Sequence, residues 1–137
     1  MKTATTIAQM LVRVTGVIQI VLGLLIWTGN ALNLVNLHTL SGLLFVLGLW
    51  ALGIIAASAG LGARWAAAAL VWGLIVLVLG VTQARLLPGP GHWVVQVVHF
   101  LIGLGAIVQA EWLGRLIKAS LAGQPRGVGD PLRGEAE

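Results

Sequence analysis

The sequence predicts an all-α integral membrane protein: an up-down-up-down four-helix bundle made of a duplicated two-helix unit. Three observations predict it. The chain of 137 residues is 58% hydrophobic and only 9% charged, whereas about a quarter of the residues in a soluble domain are charged; its mean hydropathy is +0.99. The apolar residues gather into four runs, each with the roughly 20 residues a helix needs to cross hydrocarbon. The first pair of runs and the second pair share a pattern of glycines and histidines.

The spans are expected at about Ile7 to Trp27, Val35 to Ala57, Trp65 to Ala84 and Trp93 to Ile117. The stretch Met1 to Thr6 is too short and too weakly basic for the n-region of a signal peptide, so the first run is read as a retained helix. Thr28-Gly29-Asn30 through Asn36 is polar and turn-forming, Gly60-Leu61-Gly62-Ala63 is a tight connection, and Leu87-Pro88-Gly89-Pro90-Gly91 cannot continue a helix. Trp27, Trp65, Trp93 and Trp112 lie near the expected helix ends, where aromatic belts form. The bundle is expected over residues 1–120. Residues 121–137, rich in Gly, Pro and charge, are expected to be a disordered cytoplasmic tail.

The net charge of +4 and isoelectric point near 11.3 resemble a nucleic-acid signature until the basic residues are located. Lys2, Arg13, Arg64, Arg115, Lys118, Arg126 and Arg133 fall on the side of the N-terminus, the second loop and the tail, against Arg85 alone near the third loop. The basic residues therefore mark topology. Nucleic acid is excluded as a partner, the lipid bilayer is the expected one, and both termini are expected on the cytoplasmic side of the plasma membrane. The chain has no cysteine, which removes disulfides, thiolate metal sites and iron–sulfur clusters.

Aligning the halves sets Val14-Thr15-Gly16 through Leu22-Gly23 against Val71-Trp72-Gly73 through Leu79-Gly80. Each first helix is followed by one opening with His-x-x-x-Gly: His38 with Gly42, then His99 with Gly103. A repeat of two spans keeps its topology, so the halves should be related by an axis along the membrane normal.

The pattern places His38 and His99 in one leaflet on the diagonal second and fourth helices, facing a common centre. Two neutral imidazoles on opposite faces of an iron are what a bis-histidine haem requires, so haem b is the expected cofactor, with iron ligated by His38 and His99. Gly42 and Gly103, one turn deeper, remove the side chain where the flat macrocycle must pass. Arg85 is the cation expected to pair with the propionates. Gln96, one turn before His99, is expected to bind a propionate or water. His92 is expected to be a solvent-exposed loop residue, and Ser41 a helix serine bonded back to its own backbone. Glu111, near Gln109, is expected to pair with Arg115 four residues on, and Arg13 to be an interfacial anchor.

Gln19-Ile20-Val21-Leu22-Gly23, Leu37-His38-Thr39 and Val98-His99-Phe100-Leu101 resemble one four-helix half of the heme A synthase family, over roughly residues 10 to 112. The resemblance implies a bundle with haem-ligand histidines on its second and fourth helices, in the positions of His38 and His99. The chain departs from the family in having Val35 where a glutamate precedes the histidine, and in lacking the loop cysteine pair. It thus implies the haem-holding bundle of a b-type membrane cytochrome more than an oxygenase.

The expected function is electron transfer or haem handling, with a quinone or a redox protein as partner, alone, as a homo-oligomer or within a larger membrane complex. The rival is a cofactor-free, DoxX-like four-helix subunit acting by helix contacts. A carrier of charged substrates is disfavoured, because no charged residue lies near the expected bilayer midplane.

Overall fold

The computed structural model describes residues 1–123. Arg126, Arg133 and the rest of the expected tail beyond Gly123 lie outside the described residues, while Leu121–Gly123 continue the last helix.

Among the described residues four long helices form a bundle, each long and apolar enough to cross a membrane. They are α1 (Lys2–Trp27), α2 (Val35–Ala56), α3 (Ala63–Thr82) and α4 (His92–Gly123). α1 begins five residues before the expected Ile7. Its first turn is polar, but Thr5 and Thr6 return their hydroxyls to the carbonyls of Met1 and Lys2, which keeps those donors bonded inside the helix. α4, with 32 residues, is about 48 Å long at 1.5 Å per residue, well over the hydrocarbon thickness of a bilayer.

Short turns join the helices. Leu32–Leu34 is a 3₁₀ turn before α2, and Gln83–Arg85 is another after α3. Between α2 and α3 the chain reverses through a π-helical turn, Ala57–Leu61, where Gly60 and Gly62 have φ of +82° and +95°. Those values strain any residue with a Cβ, so the two glycines are what make so short a connection feasible.

α2 touches all three other helices, whereas α1 and α3 do not meet. α2 and α4 are therefore the close diagonal pair. Along α2, Val46, Leu49, Leu52 and Ala56 are fully buried; along α4, Ala106, Ala110, Leu113 and Ile117 are. These spacings of three and four residues put each set on one helix face. Small residues let backbones approach: a Cβ on Gly53 would stand 2.6 Å from that of Ala69, and one on Gly48 would stand 2.9 Å from a methyl of Val12. The packed core thus occupies the half of the bundle nearest the Ala57–Leu61 turn. The other half, where Gly16, Gly23, Gly80 and Gly103 lie, encloses space.

Candidate functional site

That space is a cavity of about 550 Å³ lined by all four helices, a volume within the roughly 300–1,000 Å³ typical of cofactor and small-molecule sites. Phe45, Val76 and Ile107, which join the core, close it at one end. Trp27, Val35, Gln83 and His92 line it at the other.

His38 and His99 both line this cavity, one from α2 and one from α4. Each imidazole has a buried Nδ1 with no hydrogen-bond partner. Each ring also sits in the notch left by a glycine of the preceding helix. A Cβ on Gly23 would stand 3.5 Å from Cε1 of His38, and one on Gly80 would stand 3.3 Å from Cε1 of His99. Gly23 and Gly80 are the very glycines that align between the halves. A second pair repeats as well: Gly16 faces Ile107 of α4 and Gly73 faces Val46 of α2, Ile107 and Val46 each lying eight residues after the histidine of its helix. The duplicated pattern therefore corresponds to duplicated contacts, with α2 and α4 exchanging roles.

The two glycines after the histidines differ. Around Gly103 nothing lies within 4 Å of an added Cβ, so its side of the cavity is open as expected. At Gly42 an added Cβ would meet the amide of Gln19 at 3.3 Å. Gly42 lines the cavity, but the space beside it is partly filled by a side chain that sequence reasoning did not assign to the site. Gln19 donates from Nε2 to the His38 carbonyl and to Ser41 Oγ, both at 2.6 Å, and Ser41 Oγ bonds back to Leu37 O at 2.9 Å. Gln19 thereby ties the histidine-bearing turn of α2 to α1. Its signal was legible: a lone amide between two glycines of an apolar run, aligned with Val76 in the other half.

Arg85 is exposed and lies outside the cavity lining, which holds its neighbours Gln83 and Ala84 instead. The Gln83–Arg85 turn rotates it away, a phase that helical periodicity cannot supply because the helix has already ended. His92, expected to be a solvent-exposed loop residue, is instead the first residue of α4; it is half-buried and lines the cavity mouth. Its Nδ1 lies 3.1 Å from the Leu86 carbonyl. Gln96, one turn on, lines the cavity as expected. Among the described residues no Lys, Arg, Asp or Glu lines the cavity.

Glu111 does not pair with Arg115. Its two carboxylate oxygens accept from Nε and Nη2 of Arg13 on α1, at 2.6 and 2.8 Å. The reason lies in the packing of α1 on α4: Ile107, Glu111 and Gly114 share one face of α4 and meet Gly16, Arg13 and Gln9 in turn. A bidentate partner across that interface satisfies the planar guanidinium better than a partner one turn along the same helix can.

Among the described residues no three His, Cys, Asp or Glu side chains gather into a cluster able to hold a bare metal ion. Compared with protein-family models, curated proteins and solved structures, the chain matches none.

Proposed function

We propose that this protein crosses the membrane four times, up-down-up-down, and is a b-type cytochrome that holds one haem between His38 and His99, serving electron transfer or haem handling. The observation that carries the reading is that imidazoles from the two diagonal helices line one apolar cavity of suitable volume, each with a nitrogen left without a partner. A macrocycle brings four nitrogens of its own, so two side chains suffice where a bare ion would need three or four. The notches at Gly23 and Gly80 give the two rings matched seats on their own helix pairs. Open space at Gly103 leaves room beside the ring of His99.

Two imidazole ligands leave no vacant iron position, which suits one-electron transfer rather than oxygen activation. The chain's own residues hold the ligands and keep water out. Gln19 fixes the turn that bears His38, and Phe45, Val76 and Ile107 close the cavity against the core.

Among the described residues Lys2, Arg13, Arg64, Arg115 and Lys118 lie toward the core end and Arg85 toward the cavity end. That bias orients the termini to the cytoplasm and the cavity mouth to the opposite face of the plasma membrane.

Absorption spectra of the protein purified after haem supplementation, oxidised and reduced, test the reading. A low-spin b-type spectrum is expected. Protein with no Soret band, and with assembly indifferent to His38→Ala and His99→Ala, would leave the cofactor-free subunit as the function.

A further inference from the structure

The wall of the cavity mouth on the α3–α4 side carries three polar side chains, Gln83, His92 and Gln96, and His92 is the only one of them that can be charged. We propose that His92, helped by Gln96, binds the carboxylate edge of the cavity's ligand, the task that the sequence pattern assigned to Arg85. This rests on the haem reading, in which that edge is the pair of propionates.

The ring of His92 is held in place before any ligand arrives. Its Nδ1 lies 3.1 Å from the Leu86 carbonyl, and a carbonyl only accepts, so Nδ1 carries the proton. Nε2 is the nitrogen left for a ligand, and it has no partner among the described residues. The loop that presents the Leu86 carbonyl is strained, because Leu87 adopts φ +45° although it is not glycine. Such a conformation persists only where surrounding structure requires it. Gln96 follows four residues after His92 on α4, on the same helix face, and lines the same cavity.

A carboxylate needs a donor at Nε2, and a ring with a proton on each nitrogen donates to the carboxylate and to the Leu86 carbonyl at once. The charged or titratable groups at this end are Arg85 in the preceding turn and His38 and His99 deeper in the cavity. Glu111 is the only acidic residue among those described and lies beyond the core side of the cavity, so no protein carboxylate there competes for His92.

The test titrates the apoprotein in nanodiscs with haem b and with haem b dimethyl ester, in which both carboxylates are masked. The readout is the ratio of the two affinities. Comparing ratios between variants cancels the different partition of the two porphyrins into lipid. Wild type should favour the free acid by about tenfold or more, as expected for a charge-assisted hydrogen bond. His92→Asn keeps an amide N–H for the Leu86 carbonyl but ends short of the Nε2 position, so its ratio should fall toward one. His92→Gln reaches the Nε2 position without the bond to Leu86 and should keep part of the preference. Arg85→Ala should match wild type, and Gln96→Met should lower the ratio, which serves if the His92 variants do not fold.

Preference unchanged in His92→Asn, or lost in Arg85→Ala, overturns the inference and leaves the haem reading standing. So does tight binding of both porphyrins by wild type without preference. Wild type that shows no Soret band with either porphyrin overturns the haem reading, and this inference with it.

Discussion

Arg13 on α1 grips both carboxylate oxygens of Glu111 on α4, at 2.6 and 2.8 Å, in the core half of the bundle, the half nearest the Ala57–Leu61 turn. α2 and α3 are tethered by that turn; α1 and α4 have no covalent tether, and this ion pair is the polar tie between them. In an apolar surround a lone charge costs more than a satisfied pair, so breaking the pair from one side strands the other partner. Glu111→Gln and Arg13→Met should each lower the thermal midpoint in nanodiscs more than the double variant Arg13→Met/Glu111→Met does. Equal or additive losses, measured by circular dichroism, would mean that the two side chains act independently.

On the haem reading, loss of either histidine should leave the other able to hold the cofactor from one face only. His38→Ala or His99→Ala should therefore turn a low-spin spectrum high-spin, and the double variant should retain no haem. Optical and electron paramagnetic resonance spectra of the purified variants distinguish these states.

The two glycine notches differ in slack. An added Cβ on Gly23 meets His38 at an ordinary 3.5 Å, whereas one on Gly80 meets His99 at 3.3 Å, tight enough that the ring must shift. Gly23→Ala should be nearly silent, while Gly80→Ala should perturb the spectrum, and Gly80→Leu should eject the cofactor. Gly103→Leu enters open space, so it should fold normally and yet exclude haem. A Gly103→Leu protein with full haem content would refute the placement of the cofactor in this cavity.

Gln19→Leu removes the two bonds that join α1 to His38 O and Ser41 Oγ. The loss should be about 0.5–1.5 kcal/mol per bond or less, since Ser41 keeps its bond to Leu37 O. The same change releases the turn that carries His38, so the reduction potential should move while the contact between His99 and Gly80 stays intact. Spectroelectrochemistry against the Leu variant checks this.

Orientation can be read without background, because the chain has no cysteine. Thr28→Cys and Ser58→Cys sit on exposed positions in the first and second turns. In intact cells an impermeant maleimide should label position 28 and not position 58. The reverse pattern would invert the topology.

Much of this architecture is legible in the sequence for one physical reason: transfer of a segment into hydrocarbon is a local sum over its residues. Four long apolar helices, their breaks at Gly60, Gly62 and Pro88, and the recurrence of Gly23 and His38 as Gly80 and His99 need no knowledge of neighbours. Which side chains meet is another matter, because it depends on the rotation of each helix about its own axis once the helices pack. That rotation gave Glu111 to Arg13 rather than Arg115 and laid Gln19 over Gly42. The end of α3 and the start of α4 turned Arg85 out of the cavity lining and brought His92 into it. Hydropathy, summed along the chain, determined the four long apolar helices; only packing across helices decided the ion pair, the cover on Gly42 and the residues at the cavity mouth.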